Sequence, residues 1–60
     1  MPFTPRERDI LRYLRQNLTN GEIAEKLYLS PNTVRNTVSA MLKKRGLASR
    51  EQLKALPEEK

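Results

Sequence analysis

The chain has no cysteine, no histidine and no tryptophan. Without cysteine there are no disulfide staples, thiolate nucleophiles or zinc fingers, and without histidine the commonest metal ligand and the usual base near neutral pH are gone. No metal site, cofactor or small-molecule ligand is expected. No apolar run approaches the roughly 18 residues of a membrane span, and the opening MPFTPR lacks the apolar stretch of a signal peptide. These absences point to a soluble chain of a reducing compartment, the cytoplasm. Length excludes more. A chain of 60 residues buries only about 60% of the surface it exposes when unfolded, too little to wall off a deep catalytic pocket. Serine and threonine remain, with nothing placed to activate them, so no catalytic residue and no enzyme is expected.

What is present is helical punctuation. Charged residues make up 32% and apolar residues 37% of the chain, lean enough that disorder has to be considered. Apolar residues nevertheless fall at helical spacing in four blocks, each opened by a hydroxyl residue. Thr4-Pro5-Arg6-Glu7 has an N-cap threonine, a proline at the first helical position and a glutamate placed to reach back to the cap. It opens a helix over about 5–16 with an apolar stripe of Ile10, Leu11 and Leu14, Tyr13 lying at its edge. Thr19-Asn20-Gly21-Glu22 repeats the pattern for a helix over about 20–27 that faces inward through Ile23, Ala24 and Leu27. Ser30-Pro31 starts a third over about 31–45, which Gly46 closes as a left-handed cap behind Lys43, Lys44 and Arg45. Ser49-Arg50-Glu51-Gln52 reads as a last capping box, for a helix over about 50–56 through Leu53 and Leu56 that Pro57 stops. The expected fold is all-α, four short helices in one domain over about 1–57, with 58–60 a frayed tail. The second and third helices follow one another so closely that they should cross steeply, as in a helix-turn-helix.

Acidic residues are missing from one stretch altogether. Between Lys26 and Arg50 there are six basic residues and no acidic one, whereas the rest of the chain holds six basic and seven acidic. The whole excess of positive charge therefore sits on the helix-turn-helix segment, the electrostatic footprint of a nucleic-acid binder. The third helix sharpens this. At about 100° per residue, Val34, Val38, Met41 and Leu42 form a core stripe, and Asn32, Arg35, Asn36, Ser39 and Lys43 fall largely opposite it. An ordinary solvated face mixes glutamate with lysine; this one has hydrogen-bonding side chains and no acid. Arginine can grip a guanine edge and asparagine an adenine edge, while serine is short enough to let the helix approach. Asn32 heads the stripe where phosphates would run. Thr33 lies on a flank beside free first-turn amides that suit a phosphate oxygen, and Thr37 and Lys44 continue that flank. Local capping accounts equally for Thr33, and solvation for Thr37.

Three stretches, FTPRERDILRYL (3–14), LTNGEIAEKLYL (18–29) and SPNTVRNTVSAMLKKRGLASR (30–50), together resemble the LuxR/GerE-type helix-turn-helix of bacterial transcription factors, including response regulators of the NarL kind. The resemblance covers nearly the whole chain. It implies that Arg35, Asn36 and Ser39 face base edges, and that Asn20, Tyr28, Thr33, Lys43 and Arg50 contact the DNA backbone. Glu7 would be structural, tying the first helix toward the helix-turn-helix and sharing its capping role with an arginine contact. Two positions depart from the family pattern, Thr37 where members commonly carry His or Tyr and Arg45 where many carry an apolar residue. The resemblance adds double-stranded DNA as the partner and a homodimer on paired half-sites through the last helix (Ser49, Gln52, Leu53, Leu56); RNA polymerase is a further partner considered. Two leucines are too few for a strong interface, and the simpler reading is that both close the monomer core.

The expected function is sequence-specific double-stranded DNA binding as a regulator's output domain, with the third helix in the major groove. The alternative is a helix-turn-helix retained as a protein-interaction module that contacts the transcription machinery. TPRERDIL also resembles the opening of sigma factor region 4, but the short 16–22 connection and the SREQL stretch favour the LuxR/GerE reading. A membrane-surface helix is excluded because the apolar stripe of the third helix is needed for the core.

Overall fold

Every helix begins where a hydroxyl oxygen takes up an amide that has no partner within the helix. In the computed structural model, which describes residues 2–57, the helices are α1 (Pro5–Arg15), α2 (Asn20–Leu27), α3 (Pro31–Arg45) and α4 (Arg50–Lys54). Thr4, Thr19, Ser30 and Ser49 are their N-caps and accept from the N–H groups of Glu7, Glu22, Thr33 and Gln52, which satisfies one orphan donor at each start. Glu7 and Glu22 return the favour, each accepting from its cap residue's N–H at 2.8 Å. The box expected at α4 is only half made: Gln52 accepts from the N–H of Ala48 at 2.6 Å, not from Ser49. Ser49 has φ −147°, against −69° to −81° at the other three caps.

Three helices stop by one device. Asn17, Tyr28 and Gly46 adopt left-handed backbone with φ of 64°, 57° and 66°. The next residue, a leucine each time, sends its N–H back five positions: Leu18 to Tyr13, Leu29 to Ala24 and Leu47 to Leu42. This Schellman geometry satisfies a terminal carbonyl and folds an apolar side chain under the helix end; Leu18, Leu29 and Leu47 all pack against the core. Gly46 was legible as such a stop; Asn17 is a residue type that tolerates left-handed backbone, whereas Tyr28 is held there at some steric cost. Asn17 also ends α1 one residue short of the expected 16. α4 is shorter than expected as well, closing at Lys54 rather than 56. Pro57 disfavours helical backbone at the residue before it, and Leu56 is left in a turn, its N–H on the Leu53 carbonyl.

Phe3, Ile10, Leu11, Leu14, Ile23, Ala24, Val34, Val38, Met41 and Leu53 make the core. α2 packs most extensively on α3, and α1 lies across both α3 and α4. Leu42, expected on the core stripe, sits at its rim with Leu27 and Leu56, because the stripe of α3 drifts around the helix and Met41 takes the central place. Phe3 was not anticipated. It occupies the position just before the N-cap, where an apolar side chain commonly fixes the entry of the chain into a helix. The tail expected at 58–60 lies outside the described residues. Among the described residues no helix is long and apolar enough to cross a membrane.

Candidate nucleic-acid interface

Burial of Val34, Val38 and Met41 on one side of α3 leaves Asn32, Arg35, Asn36, Ser39 and Lys43 exposed on the other. The start of this face is stiff. Pro31 fixes the first helical φ, the Ser30 hydroxyl caps the Thr33 N–H at 3.1 Å, and the Ser30 and Thr33 hydroxyls lie 2.9 Å apart. Thr37 donates its hydroxyl to the Thr33 carbonyl at 2.9 Å, a back-bond common to helical threonines. It keeps its lone pairs but has committed its proton, and the side chain is half-buried. Arg35 is held by a hydrogen bond from its Nη2 to Oδ1 of Asn32, 2.8 Å long. No acidic residue occupies the first turn of α3.

Around this face stand the other expected backbone contacts. Tyr28 is 96% exposed because its left-handed backbone caps α2 and throws the ring outward. Thr33 is exposed on the flank. Asn20 and Arg50, thirty residues apart, are joined by a hydrogen bond from the guanidinium to the amide oxygen. With Thr19, Gly21 and Lys54 they line an open cleft between the start of α2 and α4. The structure thus brings Asn20 and Arg50 together, a pairing for which no sequence spacing gave a signal.

The basic run that ends α3 splits three ways, since successive residues diverge by about 100°. Lys43 continues the outward face. Lys44, expected on the phosphate flank, is instead turned inward: its Nζ lies 2.7 Å from Oε1 of Glu7, and its side chain is 20% exposed. The Arg45 guanidinium lies over the Phe3 ring, 4.7 Å from its centre, and the Lys44 ammonium approaches the same ring at 5.9 Å, both within cation–π range. A flat guanidinium therefore covers the aromatic where an apolar residue is usual in the resembled family. Glu7, expected to meet an arginine, meets Lys44. Burial pushes the Glu7 carboxyl up, but the Lys44 hydrogen bond and charge together with the Thr4 hydrogen bonds outweigh it, and the net shift is downward.

The residues expected at a dimer contact fare unevenly. Leu53 is fully buried in the chain's own core and offers nothing to a second copy, because α4 is too short to pack on α1 without it. Leu56 is half-buried, and its carbonyl accepts from Arg15. Ser49 and Gln52 are exposed, with their side chains engaged at the start of α4.

Comparison with known proteins agrees with this architecture. The model of the family described as bacterial regulatory proteins, luxR family, matches residues 1–56. The chain is 51% identical over 48 residues to the nitrate/nitrite response regulator protein NarL of Escherichia coli, covering 80% of the chain and 22% of that protein. It is 43% identical over 50 residues to the spore germination protein GerE of Bacillus subtilis, covering 83% and 68% respectively. Against the DNA-binding transcriptional activator DevR/DosR of Mycobacterium tuberculosis it is 42% identical over 50 residues, covering 83% of the chain and 23% of the relative. The chain therefore spans under a quarter of two of these relatives. No solved structure gives a significant match. With four capped helices in the expected order and a family match over almost its full length, the chain belongs to the luxR family of bacterial regulatory proteins, as a DNA-binding helix-turn-helix domain of transcription regulation.

Proposed function

We propose that the domain binds duplex DNA sequence-specifically by laying α3 in the major groove. Arg35, Asn36 and Ser39 read base edges, while Asn20, Tyr28, Asn32, Thr33, Thr37, Lys43 and Arg50 meet phosphates on either side. The observation that carries this reading is the outward face of α3: five exposed hydrogen-bonding side chains and no carboxylate, backed by a buried stripe that fixes which way the face points. Lys44 is left out of the phosphate set because its ammonium is engaged by Glu7. A homodimer on paired half-sites would rest on Gln52 and the edge of Leu56. So small a contact would hold only with both copies already on DNA.

Selection from a randomised duplex pool tests the proposal, with bound fraction followed from about 50 to 200 mM salt. An enriched motif with steep salt dependence is the expected outcome, and two spaced half-sites would add the dimer. Salt-sensitive binding without enrichment would overturn sequence reading. No binding at the low end would shift the case to a protein-interaction module.

A further inference from the structure

Asn32 and Arg35 are neighbours one turn apart on the exposed face of α3, joined at 2.8 Å through the amide oxygen of one and the guanidinium of the other. An arginine side chain on a helix surface samples many rotamers, and only a few present the guanidinium fork to a guanine edge. Holding one of its nitrogens removes part of that freedom before DNA arrives. The holder here is itself held. Asn32 follows Pro31, whose ring fixes the backbone, and stands inside a first turn closed by the Ser30 hydroxyl on the Thr33 N–H. Asn32, Arg35, Pro31 and Asn20 line one shallow open cleft, so the start of α2 bounds the same space.

The chemistry of the holder matters as much as its place. A carboxylate would grip the guanidinium more strongly, but it would sit on a face that has to meet phosphates, and the first turn of α3 has none. An amide oxygen supplies an acceptor without negative charge. Once that oxygen has accepted from Arg35, the amide nitrogen keeps both of its donors, and these are free to meet a phosphate.

We propose that Asn32 is a positioning residue for sequence reading: its amide oxygen orients Arg35 toward one base pair, while its amide nitrogen serves the backbone. This inference rests on the reading of α3 as the recognition helix. It separates the two halves of one side chain into two measurable quantities. Discrimination between the preferred base pair and its three alternatives reads the oxygen, and affinity common to all sequences reads the nitrogen.

The test is a set of binding titrations with the chain, the Asn32→Ala, Asn32→Asp, Arg35→Ala and Asn32→Ala/Arg35→Ala variants, against the selected duplex and its single-base-pair substitutions. Arg35→Ala identifies the base pair concerned, by a loss of discrimination of about ten-fold or more there. Asn32→Ala is expected to lower discrimination at that same base pair by about three- to ten-fold and nowhere else. The double variant should discriminate no worse than Arg35→Ala alone. Asn32→Asp keeps the acceptor and loses the donors, so it should retain the discrimination while binding every duplex more weakly. The proposal is overturned if Asn32→Ala weakens all duplexes equally with discrimination intact, or if its effect adds to that of Arg35→Ala. Failure of the underlying reading looks different: Arg35→Ala would then leave discrimination unchanged at every base pair.

Discussion

The two ends of α3 are both basic, with one cation at the start and three at the end, and the fold uses them differently. At its start, Arg35 meets the neutral Asn32, and the face around it is exposed and without acids. At its end, three consecutive cations look like the stronger basic patch, yet Lys44 is paired with Glu7 and Arg45 lies over Phe3, leaving Lys43 facing outward. A cluster of positive charge in a sequence is therefore not yet a surface. The charge that matters to a partner is what remains after the fold has used its share, and here that share goes to fastening α3 onto α1. The fastened end holds the helix; the unfastened end is left facing outward, where the base contacts are proposed.

Both ends hang on one buried stripe, so the largest expected effect erases the difference between them. Met41 is fully buried; Met41→Ala should cost about 2 to 5 kcal/mol, much of the stability of about 3 to 9 kcal/mol that a chain this short has available. Thermal or urea melts followed by circular dichroism would measure it, and a loss well under 1 kcal/mol would show that the core lies elsewhere.

Breaking only the fastened end should cost less. Glu7→Ala removes the return bond of a capping box and leaves the Lys44 ammonium without its partner, for about 2 to 3 kcal/mol. The same pair predicts a pH dependence. The folded-state pKa of Glu7 is lowered from its ordinary 4.5, so its contribution is complete above that value and is lost as the pH falls through the lowered one. Melting temperature should drop on acidification below about pH 4.5, and drop less in a Glu7→Gln variant. Equal slopes in the two proteins would mean that Glu7 is not the group responsible.

The smallest effect sharpens the comparison most, because Lys43 and Lys44 are adjacent and identical in charge. Lys43→Ala should weaken binding to every duplex and lower the salt slope by about one unit with stability unchanged. Lys44→Ala should leave the slope unchanged and cost stability, about 1 to 2 kcal/mol, by orphaning Glu7. Equal salt slopes in the two variants would erase the distinction between outward and inward cations.

How much of this was legible in the chain follows from the distance over which each interaction acts. The boxes at Thr4 and Thr19 and the cap at Ser30 link residues three apart, so residue type and spacing suffice to read them. At Ser49 the cap was read correctly and only the return bond was not, because an identical spacing meets a different backbone angle. Left-handed backbone was readable at Gly46, whose missing Cβ advertises it; Asn17 carried a weaker signal of the same kind that went unused, and Tyr28 carried none. The outward face of α3 was readable because one helical period separates Val34, Val38 and Met41 from Arg35, Asn36 and Ser39. Lys44 was placed on the phosphate flank, and Leu53 was left open between a dimer contact and the core, for a common reason: helical period says which residues share a face, and only neighbouring helices say whether that face is covered.

The sequence by itself determined where helices start, what α3 turns toward solvent, and the family to which the chain belongs, since these depend on residue types at short fixed separations. Only the tertiary structure decided that Glu7 takes Lys44 from 37 residues away, that Arg45 roofs Phe3, that Arg50 joins Asn20 and that Leu53 is spent on the core. Such pairings form when packing of the apolar faces brings distant segments together. The desolvation that follows then rewards whichever polar groups arrive within reach of one another.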